Sequence, residues 1–248
     1  SLFGGVNVYD DRSRVKHALV TALSELSGVP YETVNKFVRQ WTETSNDTDM
    51  RALVIQRDAA ELFGRELSAW QKSQIAVLEE GHVTAEGWIH WHMYEHESSR
   101  ADAEVWARAN KPNFFSLYEP GVQKSVLQAM YDNTQKWLES AGLGENDWVT
   151  LYRGFGRDEA IVDAEGIQLG LNDSIVFREG NALESWSTDK RKARSFASGK
   201  TYGYIVESQV PRNQIFATCR TGFGCLNEYE LVVFGDQLMN AEIVFAQG

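Results

Sequence analysis

The hydrophobic pattern changes period once along this chain, near Asp147, and that change fixes what it can become. Before it, apolar residues recur at helical spacing. Val15, Leu19, Leu23 and Leu26 mark one helix, stopped by Gly28, and Val34, Phe37, Val38 and Trp41 mark a second. Helices are also predicted from about Asp49 to Phe63, after a Ser45–Thr48 cap cluster, from Leu67 to Glu80, over most of Ala85–Asn110, and from Gly121 to Ala141. After Asp147 come β-branched and aromatic runs at Trp148–Tyr152, Ser174–Phe177, Tyr202–Val210, Gln214–Ala217, Tyr229–Phe234 and Ala241–Phe245. One short helix, Lys190–Ala197, interrupts them. Helices first and strands afterwards predict an α+β fold, with a helical N-terminal region over 1–111 packed on a β-rich part over 112–248.

Composition narrows the function classes. The 248 residues are 43% hydrophobic and 12% aromatic, which excludes a disordered chain. Two cysteines cannot form a disulfide scaffold. No apolar run approaches the ~20 residues a bilayer requires, so no membrane partner is expected. A net charge of −11 argues against a broad grip on nucleic acid. The chain begins with Ser1 rather than Met and reads as processed or trimmed.

Three short segments carry the chemistry. Tyr152-Arg153-Gly154 ends a strand, Trp186-Ser187-Thr188-Asp189 precedes the short helix, and Glu228-Tyr229-Glu230 opens the strand that ends at Phe234. Singly, each has an ordinary structural reading as a surface arginine, an N-cap or a solvated strand face. In this order they resemble the Arg, Ser-Thr-Ser and Glu-x-Glu motifs of the arginine-serine-glutamate class of mono-ADP-ribosyltransferases, which includes bacterial toxins and phage enzymes. Glu184–Ala197 with Val210-Pro211-Arg212 is similar to the phage-type domains in particular. The resemblance covers roughly Trp148–Phe245, and Asp189 departs from the third motif serine.

It implies a split mixed-β, ADP-ribosyltransferase-like core that uses NAD as substrate, needs no metal, and transfers ADP-ribose to a macromolecular acceptor with release of nicotinamide. Glu230 would face the cationic sugar of the transition state. Arg153 would hold the diphosphate, because its fork matches phosphate oxygens. Gly154 would let the backbone approach the nicotinamide amide. Ser187 would donate to Glu230 and, with Thr188, line the NAD site. The basic run Lys190, Arg191, Lys192 and Arg194 would add positive potential near the pyrophosphate. Glu228, one pleat from Glu230 on the same strand face, would engage an arginine acceptor and accept its proton. Phe223, between Gly222 and Gly224 in a potentially mobile loop, would contact that acceptor or else pack into the core. Cys219 and Cys225 in the same loop are expected as free thiols able to bridge under oxidation. An antitoxin or virion partner and action in a host cytoplasm belong to the same implication.

Other readings stay open: transfer to RNA or DNA bases, a transferase-like fold kept as a phage structural or binding module, and a zinc peptidase. The last rests on His92, Glu95 and His96, where two histidines would share one helix face, with His90 nearby.

Overall fold

The computed structural model describes residues 12–42, 50–110, 120–177, 180–237 and 239–248. The helices are α1 (Arg12–Ser27), α2 (Tyr31–Thr42), α3 (Met50–Phe63), α4 (Ala69–Glu79), α5 (Ala85–Glu95), α6 (Arg100–Ala109), α7 (Pro120–Ser140) and α8 (Lys190–Arg194). The strands are β1 (Trp148–Arg157), β2 (Ser174–Phe177), β3 (Leu183–Ser187), β4 (Tyr202–Pro211), β5 (Ile215–Thr218), β6 (Glu230–Phe234) and β7 (Met239–Gln247). The α+β class therefore holds. The expected cap cluster at Ser45–Thr48 and the boundary near residue 112 lie outside the described residues. Contacts divide the chain into two compact units, Val20–Ala129 and Ser1–Leu19 with Met130–Gly248.

The first unit is helical and built around tryptophan. Trp88 and Trp91 on α5 and Trp106 on α6 meet edge-on or tilted, with ring centroids 5.4–6.0 Å apart, above Leu53, Val54, Ile75 and Leu78. Such ring pairs add stabilisation beyond the area they bury. Two capping serines place these helices. Ser68 and Gln71 form a reciprocal capping box on α4, and Ser99 accepts from the Asp102 N–H on α6. The helical stretch expected over most of 85–110 comprises two helices. Glu97, at φ 50°, turns the chain between them, and the Ser99 cap starts the second.

The second unit carries the sheet, in the order β2-β7-β4-β1-β3-β6-β5. Every pairing between the named strands is antiparallel, which corrects the mixed sheet expected from sequence. The sheet is uneven. β1 and β4 pair along their whole length, from Trp148↔Pro211 to Arg157↔Tyr202, whereas β1 and β3 share the single register pair Tyr152↔Ser187. Four strands and three strands therefore meet at one rung. Val149, Leu151, Trp186, Val206, Leu231 and Val233 form one buried cluster with Leu138 of α7. Arg212 fastens α7 to this unit by donating to the carbonyls of Leu143 (2.7 Å) and Gln135 (3.0 Å).

Candidate functional site around Glu230

The rung between the two parts of the sheet is also where the sequence motifs gather. Tyr152, Ser187 and Glu230 are register partners across β1, β3 and β6, so one row crosses all three strands. Glu230 is 6% exposed, and both of its carboxylate oxygens are held. The Ser185 hydroxyl donates to Oε1 at 2.5 Å, and the Cys225 backbone N–H donates to Oε2 at 2.6 Å. Hydrogen bonds to an ionised acceptor are about twice as strong as neutral ones, and here they fix one rotamer.

This arrangement changes the assignment made from sequence. The hydroxyl that orients Glu230 belongs to Ser185. Ser187 donates instead to the Glu228 carbonyl at 2.6 Å and accepts from the Asp189 N–H at 3.0 Å, so it fastens the turn that precedes β6. Ser185 lies two residues before Ser187 on the same strand face, and that alternation was the available signal. Were Glu230 the carboxylate that the motif resemblance implies, Ser185→Ala would lower turnover on NAD ~10–100-fold with little change in KM, because it frees the carboxylate rotamer. Ser187→Ala should cost ~1–3 kcal/mol of stability, since it strands a carbonyl in a largely buried turn. Steady-state kinetics and chemical denaturation of the two variants separate these effects.

Glu228 is not on the strand. It closes a one-turn 3₁₀ helix, Leu226–Glu228, and Tyr229 then adopts the left-handed conformation (φ 49°, ψ 42°) before β6 begins at Glu230. The expected placement one pleat away on the same strand face is corrected accordingly. A tyrosine in this conformation stores of order 1–2 kcal/mol. Burial, and then the charge of Glu230, push the Glu228 carboxyl above the ordinary range for its type, while Lys192 opposes the shift. That is the direction a general base needs.

Arg153 follows Tyr152, so its side chain leaves the opposite face of β1. There it forms a close ion pair with Glu184, whose other oxygen accepts from the Asn181 N–H at 2.9 Å. Glu184 is seated against the backbone of Gly235, where a Cβ would lie 2.2 Å from Glu184 Cγ. Arg153–Glu184 and Ser185–Glu230 thus occupy opposite faces of the same joint, with neighbouring residues of β3 serving each. Sequence reading missed Glu184 because nothing in the motif marks it.

The remaining predicted residues divide. The space beside Gly154 is filled by protein: a Cβ there would lie 1.7 Å from the Ala193 carbonyl oxygen of α8, so the glycine serves helix packing rather than an approach to nicotinamide. Thr188 contributes its backbone N–H to the Tyr229 carbonyl at 3.3 Å. Phe223 is fully buried, with its ring 6.0 Å from that of Phe216, which corrects its assignment as an acceptor contact. Its loop is packed. Thr134, Thr218 and Thr221 share hydroxyl hydrogen bonds, and Gly222 lies against Met130. Cys219 and Cys225 are free thiols, and burial pushes Cys219 up to about 12.

The basic run on α8 is engaged by protein groups. Arg191 pairs with Asp189 at 2.9 Å and Lys190 donates to the Val244 carbonyl, while Lys192 and Arg194 lie over the Tyr229 and Phe245 rings. In the helical unit, His92 and His96 lie side by side, as their spacing predicts, with ring centroids 4.6 Å apart and planes tilted by 48°. Glu95 is turned to Lys36 (2.6 Å) and Gln40, and His92 Nδ1 to Ser98. Among the described residues no group of three or more His, Cys, Asp or Glu side chains is gathered as a metal site.

Comparison with protein-family models, curated proteins and solved structures finds no match to this chain. Among the described residues no helix is long and apolar enough to cross a membrane.

Proposed function

We propose that the chain is a mono-ADP-ribosyltransferase that moves ADP-ribose from NAD to a macromolecular acceptor, with protein arginine as the preferred nucleophile. The observation that carries this reading is Glu230: a buried carboxylate with a donor on each oxygen, beside a second acid whose affinity for protons is raised. A fixed negative charge of this kind stabilises the cationic ribose formed as the nicotinamide bond breaks, and such preorganised contacts are worth ~10²–10³ in rate. As the guanidinium nitrogen attacks the ribose carbon, nicotinamide leaves with the electron pair of its bond, and Glu228 takes the acceptor's proton.

Arg153 is paired with Glu184 on the face of β1 opposite Glu230, so the sheet separates it from a ribose held at Glu230 and the mechanism gives it no contact with the diphosphate. The motif order and the Ser185–Glu230 contact support the transferase reading.

The test is incubation with labelled NAD and a cell extract, with and without RNase. Label that stays on protein and is released by arginine-directed chemistry supports the proposal. RNase-sensitive label moves the acceptor to nucleic acid, and absence of both label and NAD hydrolysis rejects the reading.

Glu228→Gln should keep NAD hydrolysis while losing transfer to arginine, and it should also change stability with a defined sign. A carboxyl raised in the folded state binds its proton more tightly than the unfolded chain does. Its penalty is therefore absent below 4.5, its ordinary value, and grows as pH rises through the raised folded value. The variant should melt above the parent at pH 8, with the difference closing towards pH 4.5. A constant difference across that window rejects the assignment.

A further inference from the structure

A dinucleotide whose ribose sits at Glu230 needs a cation for its diphosphate, and Arg153 is on the other face of the sheet. The need is electrostatic. The diphosphate brings negative charge to a site that already holds Glu228 and Glu230, on a chain of net charge −11.

α8 supplies the candidates, because it lies on the Glu230 face. Gly154 follows Tyr152 by two residues on β1 and so shares the face of the Tyr152–Ser187–Glu230 row. The Ala193 carbonyl oxygen, 1.7 Å from where a Gly154 Cβ would be, seats the helix there by direct backbone contact. Lys190 is committed to the Val244 carbonyl and Arg191 to Asp189. Arg194 lies over Phe245 of β7, four strands from β6 in the sheet order.

Lys192 remains. Its ammonium is 5.8 Å from the centre of the Tyr229 ring, which directly precedes Glu230, and its charge reaches Glu228. Among the described residues that ammonium makes no ion pair and no hydrogen bond. A ring contact orients an ammonium while leaving its N–H donors unused, and a compact charge with rotatable donors suits phosphate oxygens.

We propose that Lys192 holds the diphosphate of the bound dinucleotide, the task that the motif resemblance gives to Arg153. The proposal rests on the transferase reading for the dinucleotide, and its first test measures binding without turnover.

The probe is ADP, which carries a diphosphate and no nicotinamide, titrated into the full chain by isothermal calorimetry. Lys192→Gln should weaken ADP binding about ten- to a hundredfold, the range of a hydrogen bond to a charged group. The side chain is only partly buried, so circular dichroism should not change. Lys192→Arg keeps the charge and should stay within about threefold of the parent. On NAD, Lys192→Gln should raise KM by about the same factor as for ADP and leave kcat nearly unchanged, because the diphosphate contact is alike in substrate and transition state. Equal ADP affinity in parent and Lys192→Gln, no binding up to millimolar ADP, an equal loss in Lys192→Arg, or a loss confined to Arg153→Lys would each overturn the proposal. NAD hydrolysis with a KM indifferent to Lys192→Gln would also overturn it and leave the transferase reading standing. ADP binding through Lys192 in a protein inert towards NAD would leave the diphosphate site standing and remove that reading.

Discussion

Replacing Glu230 by glutamine should reduce both NAD hydrolysis and transfer by ~10²–10³ or more while leaving the fold in place. The exchange keeps shape and removes charge. The Ser185 hydroxyl and the Cys225 N–H both point at this side chain as donors, so the new amide must turn its own NH₂ towards one of them. One buried donor then loses its acceptor, which costs ~1–3 kcal/mol of stability, far less than unfolding requires. Kinetics on NAD alone, read beside a denaturation curve, distinguish lost chemistry from lost structure. If hydrolysis survives at the parental rate, Glu230 is a structural carboxylate and the transferase proposal fails with it.

The largest stability effect is expected at Gly154, on the face of β1 that Tyr152 shares with Glu230. Alanine there places a methyl carbon 1.7 Å from the Ala193 carbonyl oxygen, and the obstacle is backbone, which cannot rotate aside. The neighbouring contact is as tight: a Cβ on Gly203 would lie 2.0 Å from the Ala197 carbonyl oxygen. α8 and the turn after it therefore rest directly on two strands. Overpacking usually costs ~1–3 kcal/mol, and a clash between backbones belongs at or above the top of that range. We expect Gly154→Ala to lower stability by ~3–5 kcal/mol and to lower the melting temperature markedly. A melting temperature within a degree or two of the parent would show that α8 does not sit on this strand as described.

These residues also show where sequence suffices. Ser174–Phe177 was legible because a short β-branched run between turns has one reading. β1 runs to Arg157, five residues beyond the segment predicted, because Gly154 and Gly156 disfavour a strand locally and are present for what packs against them. Register was the missing information elsewhere. Without it, Ser185 and Ser187 are equivalent candidates for Glu230, and Glu184 has no visible partner. Glu228 was misplaced because the left-handed turn at Tyr229 is bought by tertiary contacts, among them the Ser187 bond to the preceding carbonyl. Phe223 illustrates the converse: glycines on either side suggest an exposed tip, yet here Gly222 makes room for Met130 and the ring points inward.

The lone Tyr152↔Ser187 rung has a mechanical meaning. Where strands are laced by many amide bonds they shear as one; a seam closed by a single stitch can gape while the cloth on either side stays whole. Backbone amides at that seam should exchange with deuterium sooner than those between β1 and β4, and a dinucleotide held at Glu230 should slow them.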